Sequence, residues 1–193
     1  MKTLKTRWLV GVFVALLLAP LGAKADDTST GIQGHWRSAC AIADFWGQTR
    51  YDDYVGTGTA LIQTATYFAD PSCTKPIIKM DWTVQQTVGS EIRAGVRNLD
   101  LIYNQGAMTA LNEMGKAVLE AWGYCGYQDW PAALKRDVTD RGGIDHCTVK
   151  LPYTTFTIYT ILADRFYFGG FSGDPTHRSG ELNMGSYLTK VIE

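Results

Sequence analysis

Over much of this chain apolar and polar residues alternate with a period of two, the spacing of half-buried β-strands. Ile78, Met80, Trp82 and Val84 alternate with Lys79, Asp81, Thr83 and Gln85. Ile92, Ala94 and Val96 alternate with Glu91, Arg93, Gly95 and Arg97, and Leu99, Leu101 and Tyr103 extend that segment. Thr57 to Ala69 carries few charges and many β-branched or aromatic residues, then stops at the turn signal Asp70-Pro71. Further strands are predicted within 148–163, 164–170 and 186–192, and a first one opens at Gly34-His35-Trp36. One segment departs from this pattern. Met108, Leu111, Val118, Leu119 and Trp122 recur at helical spacing, Glu113, Lys116 and Glu120 fall on the other face, and Gly123 follows. The spacing predicts one amphipathic helix over about Thr109 to Trp122 among seven to nine strands. The fold class is therefore mainly β: an antiparallel barrel or half-barrel with a helix, holding side chains or one ligand inside.

The chain has 193 residues, and residues 1–25 read as an export signal. Lys2, Lys5 and Arg7 precede an apolar run from Trp8 to Leu21, and Ala23-Lys24-Ala25 is a small-x-small cleavage site. Removing it leaves 14 basic against 19 acidic residues, a net charge of −5 over residues 26–193. That balance argues against a nucleic-acid surface, which needs clustered cations. No stretch after the signal approaches the roughly 20 apolar residues of a membrane helix. Residues 26–193 are expected to form a single domain, secreted or periplasmic.

An export signal with four cysteines, Cys40, Cys73, Cys125 and Cys147, implies an oxidising compartment and two disulfides. Three connectivities are possible. Sequence neighbours close loops of 32 and 21 intervening residues without threading, which favours Cys40–Cys73 and Cys125–Cys147. On the chain-entropy view each is worth roughly 3–4 kcal/mol. Zinc would want paired short spacings such as C-x-x-C, and the sequence has none.

Catalytic patterns are missing. Gly170-Phe171-Ser172-Gly173 approaches a nucleophile elbow but places Asp174 where the last glycine belongs. Asp174, His177 and Glu181 could share a divalent ion if their loop folded back; a solvated polar loop is the favoured reading, and no metal or cofactor is expected. Asp52 and Asp53, between Tyr51 and Tyr54, read as a charged loop or strand edge. The aromatic load is the informative chemistry. It fills a core, or it lines an apolar cavity with a few polar groups, as small-molecule sites do. Met80, Trp82 and Val84, with Phe156 or Tyr159 opposite, are the expected cavity lining. The cavity is expected as a hollow of several hundred Å³ between sheet and helix.

Gly34-His35-Trp36 resembles the lipocalin G-x-W motif, in which the indole plugs the closed end of a barrel and an arginine stacks over it. Arg178 is the candidate arginine and Arg165 the second. The wider pattern, from Gly34 through Trp36, Ser38 and Cys40 to Tyr67-Phe68-Ala69-Asp70-Pro71-Ser72-Cys73, resembles the adenomatosis polyposis coli down-regulated family. Leu111-Asn112, Cys125-Gly126, Trp130, Asp137-Val138-Thr139 and Cys147 are similar to its central pattern, and Phe166-Tyr167-Phe168-Gly169, Asp174-Pro175 and Arg178 to its closing one. Ala41, Gly170 and Ser179 depart from it. The resemblance implies a lipocalin-like half-closed barrel holding an acyl chain, with no catalytic residue; in animals such proteins antagonise lipid-modified Wnt ligands. Two functions follow as expectations: a carrier of a lipid or other hydrophobic small molecule, or a filled, non-catalytic module that binds a protein, lipidated or not. Its rim loops would be 44–54 or 172–180.

Overall fold

The computed structural model describes residues 31–43, 48–143, 147 and 150–192; the expected export signal lies outside them. Ten strands and one α-helix follow in the order β1 (Gln33–Ser38), β2 (Ala41–Ile42), β3 (Thr49–Thr57), β4 (Ala60–Phe68), β5 (Pro76–Arg93), β6 (Val96–Ala110), α1 (Glu113–Ala121), β7 (Lys135–Asp137), β8 (Tyr153–Leu162), β9 (Arg165–Gly169) and β10 (Leu182–Lys190). Eight of them, β1-β10-β9-β8-β6-β5-β4-β3, form an antiparallel barrel that closes because β1 also pairs with β3. The two short strands extend partly broken rows: β2 continues the line of β1 along β3, and β7 continues that of β8 along β6.

Pairing register decides which side chains point inward. Leu61, Gln63, Ala65 and Tyr67 of β4 face Val84, Trp82, Met80 and Ile78 of β5 on the inner face. Tyr153, Thr155 and Thr157 of β8 pair with Tyr103, Leu101 and Leu99. At one end of the barrel Trp36 meets Phe166 edge-on at 5.7 Å, and Tyr159 stacks on Phe166 at 5.1 Å. Gly34 sits two residues before the indole at φ +79°, a left-handed conformation that only glycine adopts freely. The cation above the indole is Lys190, 5.8 Å from the ring, and not Arg178 or Arg165. Register explains the correction: Lys190 is the direct cross-strand partner of Trp36. Arg178 instead lies over Phe156 at 4.9 Å, bonds the Leu99 and Thr157 carbonyls, and pairs with Asp100 at 2.5 Å. Arg165 stacks on Tyr187.

The helix begins four residues later than its spacing predicts. Thr109 and Ala110 still pair with Lys79 and Ile78, so the ladder of β6 claims them. Asn112 then caps the helix, its side chain accepting from the Gly115 N–H at 3.0 Å. Gly115 presses onto the backbone of β5, where a Cβ would lie 1.9 Å from the Ile77 carbonyl oxygen. The space between sheet and helix is filled: Ile77, Ile78, Met108, Ala110, Leu119, Tyr124 and Trp130 are buried together there. Among the described residues no hollow of the expected kind is found at that position, because this close approach brings α1 into contact with the sheet. Disulfides join Cys40 to Cys73 and Cys125 to Cys147, the neighbour connectivity.

Replacing Gly115 by alanine, a better helix former, is expected to destabilise the protein by roughly 1–3 kcal/mol, because overpacking outweighs propensity. Urea unfolding followed by tryptophan fluorescence checks this; unchanged or raised stability would contradict the packing account.

Candidate functional site

The barrel wall opens along one seam. The ladder between β1 and β10 covers only Trp36 to Ser38 against Lys190 to Leu188. Beyond Ser38 the chain leaves β10, tied by the Cys40–Cys73 disulfide, and β2 resumes pairing with β3 alone. On the opposite side β10 bulges. Leu182 pairs with Gly169 and Tyr187 with Tyr167, so five steps along β10 match two along β9 and residues 183–186 leave the ladder.

Between these two departures lies a cleft of about 620 Å³, with Ser38, Ile42, Arg50, Asp52, Ser186 and Tyr187 in its walls. A second lobe of about 280 Å³ shares Ser38, Asp52, Ser186 and Tyr187 with it and is walled by Tyr54, Phe168, Phe171 and Leu188. The first lobe thus carries the charged groups Arg50 and Asp52 among small apolar residues, the more polar of the two ends, and the second is aromatic. Ile42 and Phe171 are 78% and 52% exposed at its rim.

Arg50, Asp52 and Tyr54 share the inner face of β3, since their partners Tyr67, Ala65 and Gln63 face inward. The Arg50 guanidinium makes two long contacts, 3.3 Å to the Tyr67 hydroxyl and 3.3 Å to Asp52 Oδ2. Asp52 is 14% exposed in its side chain, and its Oδ1 is shut off from solvent without a hydrogen bond. Burial pushes the Asp52 pKa above the ordinary carboxylate range, against the lowering pull of Arg50. Burial, with Asp52 nearby, likewise drives the Tyr54 hydroxyl well above its usual value. Deeper in the barrel Tyr103 donates to Gln63 Oε1 at 2.8 Å and stacks on Tyr153 at 4.6 Å. A polar layer thus crosses the barrel between the aromatic end and the helix-covered end.

Met80, Trp82 and Val84 stand on the inner face of β5, with Met80 and Val84 buried in the packed core. Tyr159 is also inside and fully buried. Phe156 sits on the outer face beneath Arg178, because β8 turns residues 155, 157 and 159 inward. None of these five is in the wall of the seam cleft. Asp174 and His177 pair at 2.8 Å within one exposed turn, and no group of three ligating side chains forms among the described residues. Of the two rim loops, residues 44–47 lie outside the described residues, whereas Arg50, Asp52 and Tyr54 form the wall itself.

Sequence reasoning passed over Arg50 and Asp52 as functional groups. The usable signal was the alternation of Arg50, Asp52 and Tyr54 with Tyr51, Asp53 and Val55, concealed because charge occurs on both faces.

Because its folded-state pKa is raised, Asp52 holds its proton more tightly in the native state than in the unfolded chain. Its ionisation therefore weakens the fold at neutral pH, and that loss disappears below the unfolded value of about 3.9. Asp52→Asn is expected to unfold at higher urea concentration than wild type at neutral pH, with the gap closing as the pH falls to about 3.5. A gap of opposite sign, or one independent of pH, would contradict this. No protein-family model and no curated protein matches this chain, so its function is read from the cleft itself.

Proposed function

We propose that this chain is a non-catalytic binding protein, secreted or periplasmic, that holds an amphiphilic small molecule in the seam cleft with an acyl chain or other apolar group inward. The observation that carries the reading is the union of an aromatic lobe and a polar lobe in one opening of the barrel wall. The volume of the polar lobe lies within the roughly 300–1,000 Å³ usual for small-molecule sites, which are mostly apolar with a few convergent polar groups. Each methylene buried against Tyr54, Phe168 and Phe171 would contribute about 0.8 kcal/mol before the costs of association. Two disulfides support an oxidising compartment. The resemblance to the adenomatosis polyposis coli down-regulated family points the same way, to a barrel that takes an acyl chain. The pairing of Arg50 with Asp52 suits recognition of a polar head.

The exposed rim residues Ile42 and Phe171 favour a second reading, in which the acyl chain arrives attached to a protein and the rim touches that partner. Both readings use the same cleft.

The oxidised, delipidated protein titrated with a fluorescent acyl probe should show one saturable site. Phe171→Ala combined with Tyr187→Ala, both at exposed positions, should weaken it roughly tenfold. Absence of saturable uptake would overturn the proposal, and uptake indifferent to the double substitution would remove the ligand from this cleft.

A further inference from the structure

The adjacent aspartates of β3, Asp52 and Asp53, face opposite ways, each paired with an arginine (Arg50 of β3 and Arg37 of β1), and the two pairs differ in how fully their hydrogen-bonding capacity is used. On the outer face Asp53 receives Arg37 through two bonds of 2.7 and 3.0 Å, and His35 at 2.7 Å. That pair is saturated. On the inner face Arg50 and Asp52 touch once, at 3.3 Å, longer than the 2.7–2.9 Å usual for charge-assisted bonds. Arg50 has five donors and Asp52 Oδ2 takes this one long contact, whereas Oδ1 is shut off from solvent and out of a ligand's reach.

Position along the cleft orders these groups. Arg50 borders only the polar lobe, Asp52 borders both lobes, and Tyr54, Phe168 and Phe171 border only the aromatic lobe. A ligand whose tail occupies the aromatic lobe presents its next atoms to Asp52 and its outermost atoms to Arg50. Resting on the cleft reading above, we infer that the site selects amphiphiles with a hydrogen-bond donor beside the tail and an anionic oxygen beyond it, the pattern of an N-acyl amino acid. The amide N–H meets Asp52 Oδ2, the oxygen on the Arg50 side, and the terminal carboxylate meets the Arg50 guanidinium. A plain fatty acid brings an anion next to Asp52 with no donor to offset it. A fatty amine leaves Arg50 without an acceptor.

Three ligands with one tail test this on the oxidised protein, by calorimetry below their critical micelle concentrations. They are N-dodecanoylglycine, its N-methyl analogue, which lacks the donor, and its methyl ester, which lacks the anion. N-dodecanoylglycine should bind roughly ten- to a hundredfold more tightly than either, as expected for losing a hydrogen bond to a charged group. Asp52→Ala should abolish the gap to the N-methyl analogue while leaving the gap to the ester, and Arg50→Gln should do the reverse. Should either variant fail to fold, the three affinities of the wild-type protein decide. Equal binding of all three ligands overturns the head-group inference and leaves the cleft reading standing. No binding by any of them, with no uptake of the fluorescent acyl probe, overturns both.

Discussion

The barrel closes through Trp36, and the remaining architecture follows from that closure. β1 is only six residues long, yet it pairs with β10 on one edge and β3 on the other. Its indole is 2% exposed, donates to the Gln33 carbonyl at 2.7 Å, meets Phe166 edge-on and lies under Lys190. A closed ring leaves no unpaired strand edge at this end, which removes the usual hazard of an open sheet. Because the strand that makes the closure is short, the ring is sealed at the Trp36 end and open beyond Ser38.

The interior is consequently layered. Apolar side chains fill the end around Trp36, Phe166 and Tyr159, and a second apolar cluster fills the end beneath α1. Between them Asp52, Gln63, Tyr103 and Tyr153 form a polar belt that reaches the surface at the seam, where Arg50 stands. A buried polar belt is costly unless its members satisfy one another. Here most do, through Tyr103 to Gln63 and Arg50 to Tyr67. The least satisfied member, Asp52, is also the one that borders both lobes of the cleft.

The expectations that changed did so for particular reasons. The apolar hollow was expected under the helix, but Gly115 lets α1 settle onto the Ile77 backbone, so side chains close that space. Thr109 and Ala110 carry a helical rhythm in sequence but belong to the ladder of β6. Thr57 to Ala69 contains the end of one strand and the whole of the next, because the chain reverses at Gly58-Thr59. The charges of Asp52 and Asp53 read as a charged loop or strand edge, and the segment proves to be a strand that forms a wall of the barrel.

Local alternation by itself determined that the protein is built of antiparallel strands with one amphipathic helix, and the loop lengths between cysteines favoured the pairing found. Those are properties of neighbours along the chain, which period and turn chemistry encode directly. Which cation covers Trp36, which face of β8 holds Phe156, and where the barrel opens depend on register between strands distant in sequence. Lys190 meets Trp36 only because β10 aligns with β1, and the cleft exists only because β1 ends while β10 bulges. Register comes from packing of the whole ring, so no single segment carries it.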